Sequence, residues 1–225
     1  MKKIKAITLA FLLSLFGSSY ALAEFTVGIT GSMAMIDASG TELEGGETSS
    51  GDASNTAGVG SIFVEYNNIL GSAFSLGIDR IPGSSDVSSS LKQRQDANPL
   101  GSNEGDTATN KAQAEISDHT TLYATYGFGN GAYVKLGYVE ADLNTLETLS
   151  TGSKYGNVTI DGIEAGLGVE FDVYAGSVGR FELTHIAYDD ISVRSSVARA
   201  SVTPNNLIEA DLDVTRFSAS LGYKF

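Results

Sequence analysis

The closing stretch Val214-Thr-Arg-Phe-Ser-Ala-Ser-Leu-Gly-Tyr-Lys-Phe225 alternates with a period of two. Phe217, Ala219, Leu221, Tyr223 and Phe225 share one parity, and Arg216, Ser218, Ser220, Gly222 and Lys224 share the other. Period two is the signature of a strand with one greasy and one polar face. In a soluble protein the greasy face would turn inward. The other end of the chain argues for the reverse. Lys2, Lys3 and Lys5 precede an apolar run from Ala6 to Phe16, and Ala21-Leu22-Ala23 supplies a small-x-small cleavage site, so residues 1–23 read as a cleaved secretory signal peptide. That run is too short to span a bilayer as a helix, and no later segment reaches 18 apolar residues. An exported chain ending in such a strand suits apolar residues facing lipid and polar residues lining a barrel.

Residues 24–225 would then form a single barrel domain, and the segments before the terminal strand supply matching staves. Phe25, Val27, Ile29, Met33 and Met35 alternate with small polar residues as strand one, followed by an aperiodic acidic stretch, Asp37 to Asn55, read as an exposed loop. Strand two, Thr56 to Asn67, sets Ile62, Val64 and Tyr66 against Ser61, Phe63 and Glu65, and strand three, Ala73 to Ile81, sets Phe74, Leu76 and Ile78 against Ser75, Gly77 and Asp79. A long loop, Pro82 to Lys111, precedes strand four, with Leu122, Ala124 and Tyr126 outward and His119, Thr121, Tyr123 and Thr125 inward. Strand five shows Val134, Leu136 and Tyr138 against Tyr133, Lys135 and Gly137; strand six shows Ile163, Ala165, Leu167, Val169 and Phe171 against Gly162, Glu164, Gly166, Gly168 and Glu170. Strand seven sets Phe181 and Leu183 against Arg180, Glu182 and Thr184, becomes irregular from His185 to Asp190, and is followed by a loop from Ile191 to Asn206. The expected fold is all-β: an eight-stranded antiparallel up-and-down transmembrane barrel with long outer loops and short periplasmic turns, an even strand number returning both ends to one side. Ten strands, with extra pairing inside the second or fourth loop, is the alternative.

This plan resembles the small outer-membrane barrels that include the opacity proteins and the membrane half of outer membrane protein A. The resemblance rests on architecture and on Ser-Leu-Gly-Tyr-Lys-Phe at the end. It implies an outer-membrane location, and it implies that Leu221, Tyr223 and Phe225 are read by the barrel assembly machinery. Lipid and lipopolysaccharide are the surrounding partners expected, with a monomeric state.

Eight strands enclose little more than their own side chains. The inward parity carries Glu65, Asp79, Glu115, Glu164, Glu170 and Glu182 against Lys135, Arg180 and Arg216, and such groups must pair, because a lone interior charge costs several kcal/mol. Glu170 and Arg180, at the feet of one hairpin, are expected to meet. An ion-pair plug and a narrow, cation-leaning water path both fit. The mature chain would carry 11 basic residues (14 less three) against 27 acidic ones, a net charge of −16, which speaks against nucleic acid as a partner. No enzyme is expected. Of the two histidines, His185 has Ala187 where a hydroxyl on its own face would be needed, and Asp118 and His119 point to opposite faces. No cofactor motif occurs, and the acidic run Asp37 to Glu42 misses calcium-loop spacing. The functional expectation is a non-enzymatic structural or interaction barrel with acidic outer loops, with a narrow porin-like channel as the alternative. A secreted soluble sandwich adhesin would need its apolar faces packed on one another.

Overall fold

The computed structural model describes residues 25–44, 46–90, 92–97, 107–148, 154–196 and 206–225; the expected signal peptide, residues 1–23, lies outside them. Twelve strands follow in chain order: β1 Phe25–Glu44, β2 Glu47–Tyr66, β3 Phe74–Arg80, β4 Ser85–Asp86, β5 Lys92–Ala97, β6 Thr107–Ala112, β7 Ala114–Gly127, β8 Ala132–Thr145, β9 Val158–Tyr174, β10 Ser177–Tyr188, β11 Ile191–Arg194 and β12 Leu207–Lys224. Eight of them form a ring in the order β1-β2-β3-β7-β8-β9-β10-β12, each antiparallel to the next, and β12 closes on β1. The expected eight-stranded up-and-down barrel is what forms.

The expected loops are more ordered than their sequences suggest. Asp37 to Asn55 is not a loop but the upper part of a β1–β2 hairpin whose ladder runs from Phe25↔Tyr66 to Glu44↔Glu47. Alternation is weak there because the outer face stands in water while the inward positions, Ala38 and Ala53 among them, are small residues only partly buried against the core. The second loop holds β4, which pairs β7, and a separate two-stranded sheet of β5 and β6. β11, in the fourth loop, extends the wall beside β12. None of these adds a ninth or tenth stave.

Side-chain polarity divides the barrel into two tiers. In the lower tier greasy groups look outward: Leu136 and Leu167 are each 62% exposed and Phe217 56%, whereas Glu164, Arg216 and Lys135 are 0, 4 and 7% exposed. Aromatic pairs ring its lower rim: Phe25 with Tyr66, Phe74 with Tyr126, Tyr126 with Phe128, Phe171 with Phe181, and Tyr223 with Phe225. From Phe25 to Met35 the outward face of β1 covers ten residue steps, about 26 Å of height at ~3.4 Å per step and a tilt of roughly 40°. That matches the apolar band of a membrane barrel.

Above Met35 the polarity inverts. Ile36, Val139, Ile160, Ile186, Leu212 and Val214 are buried inside, while Asp37, Asp189, Asp211 and Asp213 stand exposed on the outer parity. This upper tier is built like a soluble barrel, with a dry centre and a wet skin. The expectation that polar groups line the whole interior is therefore corrected: they line only the half whose outside is lipid.

One stave breaks register. Between Ser117↔Asp142 and Thr120↔Glu140 an extra residue bulges out of β7, with Asp118 at φ 53°. A bulge reverses the parity of everything beyond it. Ile116 consequently points inward, and Glu115, expected among the interior acids, lies on the other face, where Asn144 Nδ2 donates to its carboxylate at 3.4 Å.

Candidate functional site: the ionic tier and the seam above it

The lower interior is filled by two linked groups of charges. At the foot, Arg180 grips Glu65 with both ends of its guanidinium, Nη2 to Oε1 at 2.7 Å and Nη1 to Oε2 at 2.9 Å, while its Nε donates to Glu170 Oε2 at 2.8 Å. Lys224 Nζ donates to the other Glu170 oxygen at 2.5 Å. Glu170 and Arg180 are direct register partners across β9 and β10, as their positions in the hairpin require. One layer higher, Glu164 is held by Arg216 and by Lys135 Nζ at 3.0 Å, and Lys135 also reaches Glu182 Oε1 at 3.5 Å. Arg216 Nη1 lies 3.9 Å from Asp79 Oδ1, whose other oxygen accepts from Ser61 Oγ at 2.6 Å. The seven interior residues singled out in sequence, Glu65, Lys135, Glu164, Glu170, Arg180, Glu182 and Arg216, thus share one tier. Asp79 and Lys224 complete it.

Aromatic rings pack between these charges. Lys135 Nζ sits 4.2 Å from the Tyr123 ring centre, and Arg180 lies over Phe63 at 5.1 Å and Tyr133 at 5.8 Å. The rings fit because neighbouring inward positions lack a Cβ: one built on Gly77 would stand 2.3 Å from Tyr123 Cζ, and one on Gly168 2.5 Å from Tyr133 Cζ. Ionic and aromatic groups together pack the interior of this tier.

The wall above is incomplete. The β2–β3 ladder ends at Ile62↔Arg80. Ile81 N then donates to His119 O at 3.0 Å and β4 pairs β7, so the chain stays with β7, while β2 stays with β1. Pro82 has no N–H with which to continue a ladder toward β2. The two edges meet again where Asn55 Nδ2 donates to Asp86 O at 2.8 Å and Ser89 N to Ser54 O at 3.1 Å. Among the described residues, Thr56 to Ser61 has no ladder partner on this side. Gly58 and Thr56 pair with Met33 and Met35 on β1, outward residues of the apolar band, so this seam lies at the height of that band.

Behind the seam lies a cavity of about 40 Å³ at the junction of the tiers. Val59, Ile81, Ile116, Ile186 and Val214 are among the residues of its apolar wall, and His119, Tyr188 and Arg216 also border it. Neither the seam nor this cavity is signalled in the sequence by any motif; the one local hint is Pro82-Gly83 directly after a regular strand.

The wall, the outward greasy band with its aromatic rim and the inward charges are what a lipid bilayer demands of a spanning sheet. Solved structures with a similar fold include outer membrane protein OprG of Pseudomonas aeruginosa (13% identity, TM-score 0.51, covering 90% of this chain and 96% of that one) and the outer membrane protease OmpT of Escherichia coli (10%, 0.50, 92% and 99%). The chain is an eight-stranded outer-membrane β-barrel. At such identities the likeness concerns the fold alone. No protein-family model matches the chain, and no curated protein matches it in sequence.

On this barrel the terminal residues Leu221, Tyr223 and Phe225 lie on the lipid face of β12, where an assembly factor or lipid could meet them. His119 is buried and Asp118 is turned away from it to pair with Arg80. His185 is exposed, and the hydroxyl missing along its own strand comes from across the ladder: Nδ1 stands 3.2 Å from Thr215 Oγ1 and Nε2 3.4 Å from Asp213 Oδ1. Reading along β10 alone misses this neighbour, because Thr215 is adjacent only through the β10–β12 register. The three groups meet in water rather than in a pocket, which leaves the hydroxyl little activated.

Proposed function

We propose that this barrel is non-conducting and non-enzymatic, and that it takes up small apolar molecules sideways, through the seam between β2 and β3. The observation that carries this reading is the run Thr56 to Ser61, paired with β1 on one side and without a ladder partner on the other among the described residues, beside an apolar cavity at the height of Met33 and Met35. Backbone groups without a ladder are tolerated at membrane depth only where they line a cavity or are covered. The cavity itself admits one small group, so the body of a ligand would lie in the seam, against Val59 and Ile81. A path along the axis is disfavoured by the ionic tier below and the packed apolar core above. The acidic skin of the upper tier faces the surroundings and keeps this end soluble. Lipopolysaccharide is then met chiefly through its acyl chains, and the barrel assembly machinery through the last strand.

Methyl-labelled protein in lipid nanodiscs, titrated with octane, tests the proposal. Saturable shifts at Ile81, Ile116 and Ile186 are expected, and Val59→Trp, which fills the seam, should abolish them. Shifts that grow linearly with octane, or that persist in Val59→Trp, would overturn it. Non-enzymatic character is checked by assaying purified protein on lipid A beside the His119→Ala/His185→Ala double variant; product that disappears in the variant would refute it.

A further inference from the structure

We infer that the outer leaflet dips beside the seam, its zwitterionic head groups drawn down by a polar notch that interrupts the lipid band on β3 and β7. Height around the barrel follows from register. A row of ladder partners that starts at Phe25 passes through Tyr66, Leu76, Ala124, Leu136, Ala165, His185 and Thr215 and returns to β1 at Met35, ten residues higher. Each of the eight strands therefore adds about 1.25 residue steps, and at a tilt of roughly 40° one step raises the chain by about 2.6 Å. On this scale the outward apolar run ends about 26 Å above Phe25 at Met35 on β1 and about 21 Å at Ile163 on β9, but only about 12 Å at Ile78 on β3. Arg80 follows at about 17 Å, whereas the outward carboxylates Asp37, Asp161 and Asp213 stand at about 27–31 Å. Arg80 is thus a charge inside the greasy band.

Its side chain is 44% exposed, and that of Asp118, with which it pairs, is 42% exposed. Arg80 Nη1 also donates to Thr120 Oγ1 at 3.0 Å. A guanidinium carries five N–H donors; Asp118 and Thr120 take one each, and acyl chains can accept none of the rest. Across the seam, the edge of β2 from Ser61 to Thr56 has no ladder partner on that side among the described residues, and it lies at about 16–29 Å. Its outward positions Gly58 and Gly60 carry no side chain to shield it. Side-chain donors and backbone groups therefore call for polar surroundings at one height on one side of the barrel. Lipid head groups with their water are the occupant that fits. Ile62 on β2 and Tyr138 on β8, both exposed, flank the notch, so what fills it is continuous with the bilayer. Both signs of charge are present, since Arg80 and Asp118 are joined by Glu140, the register partner of Thr120. Arg80 suits a phosphate and the carboxylates suit a choline or ammonium group. Charges on a lipid face are accommodated by local thinning of this kind. A rigid tilt does not remove the notch, because Phe74 and Phe171 on the lower rim stand within about 2 Å of the height of Phe25.

The chain contains no tryptophan, so single-tryptophan variants report depth. Leu122→Trp, beneath the notch, and Leu183→Trp on β10 stand at nearly equal heights, about 15 and 14 Å. Each variant is refolded into phosphatidylcholine vesicles that contain lipid brominated either near the head group or near the chain end, and the ratio of the two quenching efficiencies gives the depth. Leu122→Trp is expected to lie at least about 5 Å nearer a head-group layer than Leu183→Trp, while the rim reporters Phe74→Trp and Phe171→Trp read equal depths. Adding Arg80→Leu/Asp118→Asn should at least halve the difference; asparagine tolerates the positive φ of position 118. Equal depths for Leu122→Trp and Leu183→Trp would overturn the inference. So would a matching difference at the lower rim, which is a tilt, or a difference that the Arg80 and Asp118 changes leave intact. Should that combination fail to fold, the contrast between the first two reporters decides. The dip does not require a ligand in the seam, so these failures leave the uptake of octane to its own titration.

Discussion

Replacing Glu164 by leucine would strand two cations, Lys135 and Arg216, in a space where neither has another fully buried carboxylate within 3 Å. Loss of one member of a buried ion group typically costs about 3–5 kcal/mol, because the partner charge stays desolvated. Glu170→Gln should cost less: its side chain is 23% exposed and Arg180 keeps both bonds to Glu65. Urea unfolding of barrels refolded into lipid should therefore rank Glu164→Leu well below Glu170→Gln in stability. An equal loss would mean that the upper layer is open to water. The same scale shows what sequence reading could reach. Parity alone placed Glu164, Lys135 and Arg216 inside, because a strand offers only two faces. It misassigned Glu115, because one bulge at Asp118 changes which face the numbers before it denote.

Among the elements, the β1–β2 hairpin and β12 make separable demands. The hairpin above Asp37 pairs with β12 as far as Leu43↔Leu207, but its outward side chains stand in water and contribute nothing to the lipid band. Joining Ser39 to Asp52 through a two-residue turn should leave the lower barrel assembled, which resistance to SDS at room temperature would report. A shortened protein that migrates unfolded would show that the upper ladder is needed for closure. β12 is different, since its outward aromatics end the rim and pair Tyr223 with Phe225. Deleting Phe225 should sharply lower the amount of protein in the outer membrane while the refolded variant stays stable in detergent; normal yield would remove the assembly role. The hairpin was illegible as strand because period-2 patterning records a difference between two environments, and above the membrane that difference is between water and a core which only the neighbouring strands create.

For the molecule as a whole, the inversion of polarity between tiers predicts where an added charge is tolerated. Leu136→Arg lies in the lipid band and should cost about 2–4 kcal/mol, as charges near the bilayer midplane do. Ser49→Arg, exposed on the hairpin, should change stability by less than about 0.5 kcal/mol. Comparable losses at both sites would place the membrane elsewhere. Planar-bilayer recordings of wild-type protein should show no conductance steps, since ion pairs fill the lower tier and an apolar cluster the upper one; regular steps would restore the channel alternative.

The sequence by itself determined the barrel class, the number of staves and the lipid face, and it pointed to many of the inward charges, because each follows from a two-fold alternation that lipid on one side enforces locally. Only the tertiary structure decided the dry upper core, the neighbour that His185 finds in Thr215 and the seam beside Val59. Each of those depends on which strands lie side by side and where a ladder stops, and such facts belong to pairs of segments far apart in the chain.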